Sequence, residues 1–128
     1  MYLLIIMFSL LNAPSVEEVS GKYIAEYHMH HKFVHSLHLR KNKTYTLTIK
    51  NVSKPNKFKI KGTWLFETDS TLKLLPKTIC LDNKKISCPF DNIWCDSSLF
   101  LIRDDGNLVK YSDDKSSKNL MKIVFKRK

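Results

Sequence analysis

Glycine is scarce in this chain: three residues in 128. No run of them forms a loop able to cradle a phosphate, and no Gly-x-Ser-x-Gly elbow is present to hold a serine nucleophile. Cysteine is limited to Cys80, Cys88 and Cys95. They show no Cys-x-x-Cys spacing and no neighbouring histidine, which removes the usual basis for a thiolate zinc site. Acidic residues are missing between Tyr27 and Phe66. Histidine is missing outside His28, His30, His31, His35 and His38. No twelve-residue stretch carries a 3.6-residue apolar period, which argues against a helical domain. The apolar run MYLLIIMFSLL at the start is too short for a bilayer, where about 20 residues are needed.

What the sequence does contain is period-2 alternation. In KFKIKGTWLFE, Phe58, Ile60, Trp64 and Phe66 share one parity with Gly62 between them, while Lys57, Lys59, Lys61, Thr63 and Glu67 take the other. That is a strand with one dry and one wet face. Glu67-Thr68-Asp69-Ser70 is turn chemistry, and a second strand starts at Thr71 with Leu72 and Leu74 in phase. Upstream, Tyr23, Ala25, Tyr27 and Met29 alternate, and the same parity continues through Phe33, His35, Leu37 and Leu39. The run is too long for one strand, so a break is expected near His30 to Lys32. Lys43 to Lys50 reads as the next strand and interleaves threonines with Tyr45, Leu47 and Ile49.

Downstream, Lys77 to Leu81 reads as a separate short strand and 82–96 as an irregular excursion. Ser98 to Arg103, Leu108 to Tyr111 and Asn119 to Lys126 read as strands, the first two joined by the hairpin turn Asp104-Asp105-Gly106-Asn107. Leu37 to Tyr45 resembles Leu99 to Asn107, and Gly21-Lys22-Tyr23 resembles Gly62-Thr63-Trp64. Strands recurring at roughly 8–12-residue spacing and joined by short turns pair as an antiparallel meander. The expected fold is therefore all-β: a single meander barrel of about eight strands. Its many large inward side chains (Tyr23, Tyr27, Phe58, Trp64, Phe66) lean toward a filled interior.

Residues 1–15 carry no charge and end in Asn12, Ala13, Pro14 and Ser15. This suits the apolar region and cleavage site of a secretory signal, although the basic leader is missing. We expect a signal at 1–15, a single domain at 16–128, and export to a periplasmic or extracellular setting. Three exported cysteines allow one bridge and one spare thiol, and Cys88 with Cys95 is the favoured pair.

The order Gly-Lys-Tyr at Gly21, Leu-x-Leu-x-x-Asn-x-Thr-Tyr at Leu37 to Tyr45, Gly-Thr-Trp at Gly62 and Leu-Lys-Leu at Leu72 resembles small secreted lipocalin-like (calycin-type) domains of bacterial envelopes. A more distant likeness is to the copper-stress lipoprotein of the NlpE type. The resemblance covers Gly21 to Pro76 and implies a small antiparallel barrel with no enzymatic activity. The chain lacks that lipoprotein's lipid-attachment cysteine and Cys-x-x-Cys, so no functional residue is carried over. Tyr23 and Trp64 are expected as plugs near a barrel end.

The net charge of +10 is concentrated between Tyr27 and Phe66. A field of that sign favours polyanions. Lys57, Lys59 and Lys61 are the candidate anionic-surface residues for an acidic envelope component. Nucleic acid is not expected, because a single-strand binder needs aromatics on the same wet face as the cations, and here they lie on opposite faces. A small apolar ligand at the barrel mouth is the companion reading. The competing class is a copper or zinc site: His28 and His30 share a face about 7 Å apart, and His38 has the same outward parity on the next strand. Inhibition of an exported enzyme is a third reading. No catalytic group stands out, so the protein reads as a monomeric binding domain, with no transmembrane helix in the mature chain.

Overall fold

The computed structural model describes residues 14–29, 31–53, 57–81, 84–88, 97–113 and 120–128. One helical turn, α1 (Val16–Val19), is followed by nine strands: β1 (Gly21–Met29), β2 (His31–Leu39), β3 (Thr44–Asn51), β4 (Lys57–Thr68), β5 (Thr71–Leu81), β6 (Lys84–Ser87), β7 (Ser98–Ile102), β8 (Leu108–Asp113) and β9 (Leu120–Arg127). All pairings are antiparallel. Strands β1–β5 and β7–β9 form a closed eight-strand meander barrel, sealed where β1 meets β9. The extra strand, β6, lies beside the second half of β5, whose first half pairs with β7.

The period-2 pattern decides what goes inside. Tyr23, Ala25, Leu37, Leu39, Tyr45, Leu47, Ile60, Trp64, Leu72, Leu74, Phe100, Leu108, Ile123 and Phe125 are buried in one continuous cluster. Side chains therefore fill the barrel, as small barrels allow. Phe100 and Phe125 meet edge to face with ring centroids 5.2 Å apart.

Along the elements themselves, sequence-based expectations and structure part first at the start of the chain. Val16 to Ser20, expected as a plain lead, contains α1, capped by Ser15 Oγ, which accepts from the Glu18 amide at 3.1 Å. Val19 from this turn is buried, and the Tyr23 hydroxyl donates to its carbonyl at 2.6 Å. Arg127 donates to the carbonyls of Glu18 and Ser20, tying α1 to the closing strand. Second, the expected break at Pro76 is absent: β5 is continuous, with a register shift between Lys61 and Gly62 that sets Gly62 opposite Pro76. A proline is tolerated at a bulge, where no ladder donor is required. Any Cβ at Gly62 would overlap the Leu75 carbonyl oxygen, which is why glycine stands there. Third, Lys84–Ser87 is a strand within the expected excursion.

The two similar hairpins share one turn. Arg40 donates to the Thr44 carbonyl and Lys43 to the Arg40 carbonyl; Arg103 donates to the Asn107 carbonyl and Gly106 to the Arg103 carbonyl. Lys43 (φ 65°) and Gly106 (φ 84°) occupy the same left-handed position. Arg40 thus corresponds to Arg103, one residue off the alignment that matches Leu37 with Leu99. Leu37 and Phe100 face the core, while Leu99 and Leu101 are exposed. Residues 1–13 of the expected signal lie outside the described residues. No helix among the described residues is long and apolar enough to cross a membrane.

Candidate anion-binding face

The outward residues of β1–β6 line up in rows fixed by strand register. One row runs Lys22, His38, Thr46, Lys61 and Thr78. The next runs Ile24, Ser36, Thr48, Lys59, Cys80 and Lys85. A third runs Glu26, Val34, Lys50 and Lys57. Lys57, Lys59 and Lys61 are all exposed on this face, as parity predicts. Tyr45, Ile60 and Trp64 point the other way and are buried. The aromatics of β3 and β4 therefore belong to the core and offer no stacking platform beside these lysines.

Apart from Lys32, the cations of this face have no carboxylate ion-pair partner among the described residues. Among the described residues only two ion pairs form, Lys32 with Glu26 and Arg103 with Asp105, each at 3.5 Å. Neither involves Lys22, Arg40, Lys50, Lys57, Lys59 or Lys61. Hydroxyls take the place of acids between the charges, from Ser36, Thr44, Thr46, Thr48 and Thr63.

Between β1, β2 and β3 the face dips into a groove of about 290 Å³ lined by Lys22, Ser36, His38, Arg40, Thr46, Thr48 and Lys128, with Ile24, Tyr23 and Leu37 as its floor and sides. Arg40 Nη2 donates to Thr46 Oγ1 at 2.9 Å. The Lys128 amide donates to the Lys22 carbonyl at 2.9 Å. His38 is held below the usual imidazole pKa by desolvation, then by Arg40 and Lys22. Every charged side chain lining this groove is basic. A larger cavity of about 610 Å³ beside α1 is lined by both signs, with Glu18, Asp69 and Asp104 facing Arg103 and Arg127.

The expected histidine set does not converge. His28 and His38 do project outward, but His28 sits opposite Lys32 while His38 sits opposite Lys22. Lys22 and His28 are six positions apart on β1, about 20 Å of strand. The β1–β2 register pairs Met29 with His31 at one end and Lys22 with His38 toward the other, so His38 is carried to the far end. Parity gives the face but not the distance from the turn. His30 lies outside the described residues. Among the described residues no group of three or more His, Cys, Asp or Glu is placed to hold a metal ion.

Cys80 is a free thiol on the basic face, opposite Lys59. Cys88 is disulfide-bonded; Cys95, the other half of the expected pair, lies outside the described residues.

Two inward polar groups fall outside the expected sites. His35 is buried, with Nε2 3.0 Å from the Tyr27 hydroxyl and its ring edge-on to Tyr27 and Phe125. Burial, then the nearby Lys110 charge, lowers its pKa to about 4. Lys110 faces the interior opposite Ile123, with Nζ 5.9 Å from the Phe100 ring centroid, and desolvation lowers its pKa. His35 follows the inward parity of β2. The short run from Leu108 to Tyr111 gave no such signal for Lys110.

Comparison with protein-family models, with curated proteins and with solved structures finds no match. The class to which the structure assigns the chain is a closed antiparallel β-barrel compatible with a lipocalin-like fold.

Proposed function

We propose that this is an exported, non-enzymatic binding protein that engages an anionic polymer of the envelope through the outer face of β1–β4. One observation carries the reading: register gathers Lys22, Lys50, Lys57, Lys59 and Lys61 onto a single face, with Arg40 bonded to Thr46 beside them, among hydroxyls, and neither of the acids described on that face, Glu26 and Glu67, is ion-paired with any of the six. Isolated surface lysines stabilise a fold little, but gathered ones raise the local potential and steer polyanions. The filled core leaves binding to the surface. The likeness of Gly21 to Pro76 to envelope lipocalin-like domains agrees with an exported setting.

Polyphosphate titrated into the protein at several salt concentrations tests this. Affinity is expected to fall steeply with salt, as counterions are released on binding. Replacing Lys57, Lys59 and Lys61 with Gln is expected to flatten the log K against log salt slope by about 2. Binding that ignores both salt and the triple substitution contradicts the proposal.

A further inference from the structure

We infer that the groove around His38 is a discrete pocket for one dianionic tetrahedral oxyanion, a phosphate or sulfate group. This rests on the anion-binding reading of the same face and narrows it to a chemical class. Four basic side chains converge there from separate parts of the chain: Lys22 from β1, His38 from β2, Arg40 just after β2, and Lys128 following β9. Ser36, Thr46 and Thr48 supply hydroxyl donors on the same walls.

A flat lysine patch attracts charge without shape. The groove adds a concavity of about 290 Å³ and a guanidinium anchored at one corner by Thr46. An anchored guanidinium suits tetrahedral oxyanions because its planar fork donates two parallel bonds. No carboxylate side chain lines the groove to neutralise it.

His38 reports occupancy. The charged side chains facing it are Lys22 across the β1–β2 pair, Arg40 two residues on, just past β2, and Lys128 on the rim; Lys61 lies one strand further, opposite Thr46. All of these repel a proton on its ring. A bound dianion reverses that local sign and favours imidazolium. Oxyanion binding and His38 protonation are therefore linked, each strengthening the other.

The test is imidazole NMR of the full chain at low salt, titrated with inorganic phosphate, sulfate, glycerol 3-phosphate and acetate in separate arms. Phosphate and sulfate are expected to shift the His38 resonance saturably and to raise its titration midpoint by about one pH unit, a tenfold coupling. Arg40→Gln is expected to weaken phosphate binding about tenfold, and Lys22→Gln to weaken it by a smaller factor. Glycerol 3-phosphate binding as well as inorganic phosphate assigns the pocket to a terminal ester; sulfate and phosphate binding while the ester is excluded assigns it to the free ion. Acetate binding as tightly as phosphate overturns the tetrahedral pocket. So does a His38 resonance that phosphate leaves unmoved while polyphosphate still binds the lysine face, and in that case the broader reading stands. The Lys57, Lys59 and Lys61 triple Gln variant separates the two in the other direction: it should lose polymer affinity and keep the His38 response.

Discussion

Replacing Trp64 with alanine is expected to lower folding stability by about 3–5 kcal/mol. The side chain is 1% exposed and is the largest in the core. Its indole Nε1 donates to the Arg40 carbonyl at 3.0 Å, and its amide donates to the Lys43 carbonyl at 2.8 Å. Its ring meets Phe66 edge-on with centroids 5.5 Å apart. Trp64 thus joins β4 to the β2–β3 turn while filling the α1 end of the barrel. Alanine removes the packed volume and also leaves the Arg40 carbonyl without its indole donor. Domains of this size have about 5–15 kcal/mol in total, so the variant is expected to sit near the edge of folding. Trp64→Phe keeps most of the packing and should cost clearly less. Urea unfolding monitored by circular dichroism measures both. An unchanged midpoint in the alanine variant would contradict the plug assignment.

Between pH 7 and pH 4 the protein is expected to lose about 3 kcal/mol through His35 alone. The pKa of His35 is lowered from 6.5 to about 4, and the ring is buried, so solvent screens little of the effect. In the unfolded chain His35 takes up a proton below about pH 6.5; in the folded barrel it resists until about pH 4. The unfolded state therefore binds more protons in that window, and stability falls as pH falls through it. His35→Gln removes the titration and should flatten this part of the stability profile. Other groups titrate equally in both proteins, so the difference between the two curves isolates His35. Parallel profiles from pH 7 to pH 4 would mean that the imidazole is accessible to protons in the fold.

Alternation made most of the barrel legible. Lys57 to Glu67 shows its two faces in the letters alone, and the threonines of Thr44 to Lys50 mark the wet side of β3. Asp104 to Asn107 announces its own turn through Gly106. Elsewhere the signal was too short or belonged to another scale. Four residues of α1 cannot display a helical period. Pro76 ordinarily ends a strand, and only the compensating bulge at Gly62, a relation between two strands, lets β5 run on. Leu99 to Leu101 is apolar on both sides, so its face follows from pairing with β5 and β8.

The candidate site divides along the same line. Lys57, Lys59 and Lys61 share a face because parity is local. His28 and His38 share a face yet lie far apart, since distance along a hairpin depends on where it turns. Lys22, Arg40 and Lys128 meet at one groove only after β1 closes against β9 and the end of the chain returns to Lys22. No local pattern encodes that closure.

Amide chemical-shift mapping with polyphosphate tests the central claim most directly. The account predicts saturable shifts over β3, β4 and the groove at Lys22, His38 and Arg40, fading as salt rises, with Leu99, Leu101 and Tyr111 on the opposite side unmoved. Shifts confined to β7–β9, or none at low salt, would contradict it.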